Sequence, residues 1–249
     1  MYHLACYKGA VSANASNFDL PAVPDNVLTI SNNHYILTQS ARVKLAYAQA
    51  ASITLARINT PKLRATSLPY IEPLRVGTLP GNLPPVAVYD NNQLNLDPID
   101  EIAIEISNDL ASSTEVTIAG LFLEMSNTPI PQGPSFTIRA TSSFTATSGA
   151  WTSGAVVFDQ VLPAGRYAVI GLRVIGANLV FGRLIFPGGV YRPGTLASAD
   201  PSESDGNIVR QGNCGLLGEF DSVAQPQLEV FSNGANTSQT VFMDVIRIR

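Results

Sequence analysis

The sequence predicts an all-β fold built from two copies of one domain, and three observations carry that prediction. Short runs rich in Val, Ile, Leu, Phe and Thr recur along the chain between Asn, Gly, Pro and Ser, the pattern of a sandwich or barrel. Helical periodicity is nowhere sustained without an interrupting proline or glycine, so any helix is confined to a turn or two in a loop. Third, ASITLARINTP at Ala51–Pro61 matches ANLVFGRLIFP at Ala177–Pro187 without a gap, 126 residues apart, and a repeat at fixed spacing marks a duplicated unit.

Taken in order, the runs predict strands near Asn26–Ser31, Tyr35–Thr38, Ala41–Tyr47, Ser52–Ile58, Val86–Tyr89, Glu101–Ser107 and Glu115–Glu124. A second set is expected near Ser135–Thr141, Ala155–Gln160, Arg166–Val174, Asn178–Phe186, Gln227–Phe231 and Thr240–Arg249. Between the sets, SNTPIPQGPS at Ser126–Ser135 holds three prolines in ten residues and reads as a stiff extended connection. The expected organisation is an extension over 1–24, a first domain over 25–126, a linker over 127–134 and a second domain over 135–249. Each half also has one long connection poor in alternation, Pro61–Pro85 and Pro187–Gly218, and such loops usually carry functional surfaces.

The repeat extends beyond its best stretch. Arg57 falls on Arg183 and Pro61 on Pro187, while Ile53 with Leu179, Leu55 with Phe181 and Ile58 with Leu184 keep apolar character. RVGTL at Arg75–Leu79 resembles RPGTL at Arg192–Leu196, EISN from Glu105 resembles EVFSN from Glu229, and Val116–Leu123 aligns with Val241–Ile248 at a spacing of 125. Four matches in one order imply two copies of a β domain with seven or eight strands each, and an eight-stranded jelly roll fits that size.

Composition narrows the function. Charged residues make up only 14% of the 249, against about 25% in ordinary soluble domains, which suggests a surface largely covered by neighbours. Only Lys8, Lys44 and Lys62 are lysines, and the arginines are scattered, so the clustered cations of a phosphate-binding face are missing. No apolar run is long enough to cross a membrane and the start lacks the pattern of a signal peptide, so synthesis and folding in a cytoplasm are expected. Cys6 and Cys214 read as buried structural thiols, not as a disulfide framework or zinc site.

With the duplicated domain, the short linker and the two long loops in view, the chain resembles the double jelly-roll major capsid proteins of tailless icosahedral viruses, especially membrane-containing bacteriophages. The phrases DPIDEIAIEISNDLASSTEVTIAGLFLEMSN (Asp97–Asn127) and LPAGRYAVIGLRV (Leu162–Val174) carry the resemblance as well. It implies two tandem eight-stranded barrels, a homotrimer with a pseudo-hexagonal outline, and tiles packed over an internal lipid vesicle and genome with the long loops outward. Partners would then be other copies, minor capsid or vertex proteins and the membrane, with location in the virion. Tyr2, Leu4, Tyr7 and Phe18 near the amino terminus would lie along lipid, reach to a neighbouring subunit, or pack beneath the first barrel.

No catalytic, cofactor-binding or metal-binding residue is expected. The only histidines, His3 and His34, do not supply the ligand cluster of a metal-holding jelly-roll enzyme, and no Gly-x-Ser-x-Gly elbow occurs. Asp200, Glu203 and Asp205 before Gly206 depart from calcium-loop spacing and read as a solvated loop. Glu101 and Glu105, with Asp97 and Asp100 just before them, share a strand face expected to be exposed or paired with a neighbour's arginine. Arg57 and Arg183 are expected to bond loop carbonyls or an acid at the subunit seam. The rival reading is a two-domain carbohydrate- or receptor-binding protein, for which the single Trp151 in SGAWTSG would have to be an exposed platform.

Overall fold

The structure is a computed structural model that describes residues 1–49, 53–61, 72–73, 76–77, 86–89, 94–108, 114–199 and 208–248. Its regular elements are overwhelmingly strands, and they form two compact units. An N-terminal unit contains Ala5–Met125; a C-terminal unit contains Ser126–Arg249 together with Met1–Leu4.

The N-terminal unit draws on β1 (Tyr2–Val11), β2 (Phe18–Leu20), β3 (Thr29–Ser31), β4 (His34–Ile36), β5 (Ala41–Gln49), β6 (Ile53–Asn59), β7 (Glu72–Pro73), β8 (Val76–Gly77), β9 (Ala87–Val88), β10 (Leu94–Leu96), β11 (Glu101–Asn108) and β12 (Glu115–Glu124). One sheet runs β1-β12-β5-β10, with β8 and β9 also on β5; the other runs β3-β4-β11-β6-β7, with β2 also on β11. Tyr7, Tyr35, Ile58, Ile102, Ile104 and Leu121 are buried in its core, each large apolar side chain contributing about 1.5–3 kcal/mol.

The C-terminal unit contains β13 (Ser135–Ser142), β14 (Trp151–Ala155), β15 (Val157–Phe158), β16 (Arg166–Ile175), β17 (Leu179–Ile185), β18 (Gly194–Ser198), β19 (Gly218–Asp221), β20 (Gln227–Ser232) and β21 (Gln239–Arg247). Its pairing order is β14-β20-β17-β18-β16-β21-β13-β15, with β19 on β16. The path is continuous because β18 switches layers: Gly194–Leu196 pair antiparallel with β17, and Ala197–Ser198 pair parallel with β16. The N-terminal unit makes the same switch with β7 antiparallel on β6 and β8 parallel on β5.

The likeness of the units extends to their irregularities. β5 and β16 each carry a bulge, at Lys44 and at Ile170, where the register to the last strand skips one residue. β6 and β17 carry another, at Thr54 and at Val180. Both pairs of bulges are 126 residues apart, the spacing of the sequence repeat, and bulges are built-in features of a β unit, not accidents.

Several expectations need correction. The extension expected over 1–24 contains β1 and β2, with Tyr2, Leu4 and Tyr7 buried and Phe18 partly so, so packing, not lipid or a neighbour, accounts for the first three. Pro187–Gly218 is not wholly a loop, because it holds the fully buried strand β18. RVGTL and RPGTL are not equivalent: Pro73 pairs with Arg57 as Gly194 does with Arg183, and Val76 with Ala48 as Ala197 does with Val174, a spacing of 121 where the text match has 117. The last strands align at a spacing of 122, with Ile118 on Gln49 and Thr240 on Ile175, not at 125.

Candidate functional site

The most distinctive polar feature is an arginine–glutamate pair that stands at equivalent places in the two units. In β11, Glu105 lies directly across from Arg57 of β6; in β20, Glu229 lies directly across from Arg183 of β17. Arg57 Nε donates to Glu105 Oε2 at 2.6 Å and its Nη2 to Asn17 Oδ1 at 2.7 Å, while Asn59 Nδ2 donates to Glu105 Oε1. Arg183 Nε donates to Glu229 Oε2, and its Nη1 to the Leu4 carbonyl at 3.0 Å. Each arginine thus binds an acid of its own unit, and Arg183 also binds a backbone carbonyl, one of the two kinds of partner expected for it. Glu105 is likewise buried and paired, not exposed.

The C-terminal pair is the more elaborate. Arg192 Nη1 reaches both carboxylate oxygens of Glu229, at 2.8 and 2.9 Å, so two guanidinium groups share one buried acid. The Arg183 guanidinium also sits 3.7 Å from the centre of the Trp151 ring, a cation–π contact, and Trp151 packs on Phe181 and Phe231. This removes Trp151 as an open platform for sugar. His3 is fully buried; its Nδ1 accepts from the Arg192 amide at 3.3 Å, and the Leu4 amide donates to the Arg192 carbonyl at 3.0 Å. His3 and Leu4 are thus stitched to Arg192 and Arg183.

A second clamp escaped the sequence reading. Asp244 of β21 is buried and accepts from Arg210 Nε at 2.7 Å, Arg210 Nη2 at 2.8 Å, Thr137 Oγ1 at 2.7 Å and the Gln211 amide at 2.9 Å. Burial pushes its pKa up, but hydrogen bonds from Arg210, Thr137 and the Gln211 amide, with the Arg210 charge, outweigh that and hold it below the usual carboxylate range. The clamp fastens the end of the second long connection to the sheet.

The remaining sequence candidates are dispersed. Cys6 and Cys214 are both buried, and they are not joined in a disulfide. His34 lies between acids, its Nδ1 3.4 Å from Glu101 and its Nε2 3.6 Å from Asp19. Asp97 and Asp100 close a tight turn through the Asp97 amide and Asp100 Oδ2 at 2.8 Å. Asp200, Glu203 and Asp205 lie outside the described residues. Among the described residues, no group of three or more His, Cys, Asp or Glu is placed to hold a metal ion, and no helix is long and apolar enough to cross a membrane. Chemically, these clusters neutralise buried charge and tie strands together.

No family model matches the sequence, and no curated protein matches it. Among solved structures, the chain is similar to the major capsid protein of bacteriophage PM2, with 9% identity, a TM-score of 0.24, and coverage of 99% of this chain and 97% of that one. It is also similar to the STIV major capsid protein, with 10% identity, a TM-score of 0.23, and coverage of 98% and 97%.

Proposed function

We propose that the chain is a viral major capsid protein of the double jelly-roll type, three copies forming a six-barrel tile and tiles packing into an icosahedral shell around an internal membrane and genome. The observation that carries this reading is the duplication itself. Counting the principal strands of either unit from one to eight, one layer has the order 1-8-3-6 and the other 2-7-4-5, the order of an eight-stranded jelly roll. Both units repeat it, with the same layer-switching strand, the same two bulges and the same Arg–Glu pair. Repeating a whole scaffold, down to its internal ties, suits a protein whose product is a surface to be tiled. The low charge supports the same reading, because faces packed against copies are depleted in Lys and Glu. On this reading the inner face meets lipid or another protein, not naked nucleic acid, and the protein resides in the virion.

Light scattering on the size-exclusion peak tests the proposal. Three chains of 26.4 kDa give a species of about 79 kDa, with a hexagonal outline in negative stain. A protein that stays monomeric at high concentration would overturn the reading and favour a receptor- or carbohydrate-binding module.

A further inference from the structure

The strands of the C-terminal unit end in two sets of connections, and the two ends differ in chemistry. Connections 143–150, 176–178 and 233–238 lie at the end where β16 and β18 finish, at Ile175 and Ser198. Among the described residues they expose no large hydrophobic side chain. Connections 159–165, 186–193 and 222–226 lie at the other end, where β16 starts and β17 finishes. Each of these lifts one valine into water: Val161 is 97% exposed, Val190 66% and Val223 90%.

The N-terminal unit repeats one of the tips. Turn 97–100 precedes β11 as turn 221–224 precedes β20. The Asp100 amide donates to the Asp97 carbonyl at 3.2 Å, and the Ala224 amide to the Asp221 carbonyl at 2.9 Å. The two turns are 124 residues apart, the spacing of Glu105 and Glu229, so Ile99 stands where Val223 does. Ile99 is 80% exposed, and its φ of 72° is one that β-branched residues avoid. The turn lies at the Ala41 end of β5, away from Ala48, where β8 pairs; Val223 likewise lies at the end of its barrel away from where β18 meets β16. A strained side chain held in water gains nothing for its own unit, and an apolar tip present in both units points to something outside the fold.

The chemistry of the tips identifies what covers them. Protein interfaces are centred on Tyr, Trp, Phe, Met and Arg and bury about 1,600 Å². Separated valine tips amount to a few hundred Å², too little for such a contact, whereas in an acyl layer each tip counts by itself because the solvent fits any shape. The exposed charges of this end come as close pairs, Arg139 with Asp159 at 3.0 Å and Arg166 with Glu219 at 2.5 Å, the same two signs that a zwitterionic phospholipid headgroup carries. A cleft of about 340 Å³ opens at the same end, walled by Phe186, Tyr191 and Leu216 with Arg166 and Glu219 in its lining. An apolar wall with both signs at hand suits an amphiphile.

We infer that Val161, Val190 and Val223, with Ile99 of the N-terminal unit, are the side chains that enter the surface of a zwitterionic phospholipid bilayer. The inference rests on the shell reading above and deepens it, committing the inner face to lipid through named residues. A tile of three chains carries three such sets, so weak single contacts add to an avid one.

The test takes the full chain from the size-exclusion peak, its mass fixed by light scattering, and floats it with phosphatidylcholine vesicles. The parent is expected to float equally at low and high salt, because no net charge drives the contact. The Val161→Asp/Val190→Asp/Val223→Asp variant is expected to bind on the order of a hundredfold more weakly, each valine being worth up to about tenfold. Val116→Asp, which alters a valine 47% exposed on β12, floats like the parent. Trp151 fluorescence in urea checks the fold of each variant. A second readout needs no loss of function: Val223→Cys carrying a polarity-sensitive dye shifts its emission to the blue on vesicles, and labelled Val116→Cys does not, the native cysteines being buried. A trimer that ignores the vesicles, floats only at low salt, or leaves the dye at residue 223 in water overturns the lipid assignment, gives the tips to another protein and lets the shell reading stand. A chain that stays monomeric overturns the shell reading, and the vesicles then decide the lipid assignment separately.

Discussion

The twin ion pairs permit the same substitution in two settings that differ chiefly in burial. Arg183 is fully buried whereas the Arg57 side chain is 21% exposed. Removing one partner of a buried pair leaves an uncompensated charge and costs about 3–5 kcal/mol. For Arg183→Ala the lower end applies, since Arg192 still contacts both oxygens of Glu229; loss of the contact with Trp151 adds about 1 kcal/mol. The expected cost is about 3–4 kcal/mol. Arg57→Ala leaves Glu105 with Asn59 and opens it to water where the 21%-exposed Arg57 side chain stood, so its cost is about 1–2 kcal/mol. Trp151, the only tryptophan, reports unfolding of the C-terminal unit, and far-UV circular dichroism reports the whole. With a urea slope of about 1.5 kcal/mol per molar, Arg183→Ala moves the fluorescence midpoint by about 2 M and Arg57→Ala moves the N-terminal transition by about 1 M. Equal shifts, or a larger one for Arg57→Ala, would refute the argument that burial and the aromatic contact set the strength of these pairs.

Asp244→Asn removes the charge that binds Arg210 and should cost about 2 kcal/mol at neutral pH. Because the folded pKa of Asp244 is depressed, its contribution is complete above the unfolded value of about 3.9 and disappears as pH falls through the folded value; acid titration of stability should be shallower in the variant, and an unchanged slope would discount the clamp. At Gly182, an added Cβ would come within 2.5 Å of Val174, so Gly182→Ala should destabilise the C-terminal unit by about 1–3 kcal/mol. Its equivalents in the other unit are Ala56 and Ala48, both buried, so adding Val174→Ala should restore most of the loss in a double-mutant cycle. Tyr167→Phe deletes the bond to the Pro163 carbonyl and should speed amide exchange in 159–165, with a stability cost of about 1 kcal/mol.

What the sequence could reveal depended on whether a strand keeps one face wet. β6 was legible because half-buried Leu55 and Arg57 alternate with buried Ala56 and Ile58, and β13 because its burial alternates at Ile138, Arg139 and Ala140; β17, buried from Leu179 to Leu184, was legible through its repeat of β6. β1 and β18 were not, since YHLACY is buried without a break and all of GTLAS is buried; a strand covered on both faces has no period of two to detect. The same loss of alternation misaligned the last strands. Val241–Ile246 is buried at most positions on both faces, so the text match could slide by three residues, an odd shift that exchanges the two faces. Arg57, Arg183, Glu105 and Glu229 were each singled out as repeated, yet their pairing was not, because the partners lie 48 and 46 residues apart and only strand register brings them together. Asp244 is harder still: Arg210 reaches it from a loop 34 residues away, with no counterpart in the other unit to flag it. The Arg–Glu pair on equivalent strands is common to both units, whereas each unit also has a tie of its own, Arg42 with Glu124 between β5 and β12 in the N-terminal unit and Arg210 with Asp244 in the C-terminal unit. Divergence on a conserved frame is where a difference in neighbours between two otherwise similar barrels has to be written.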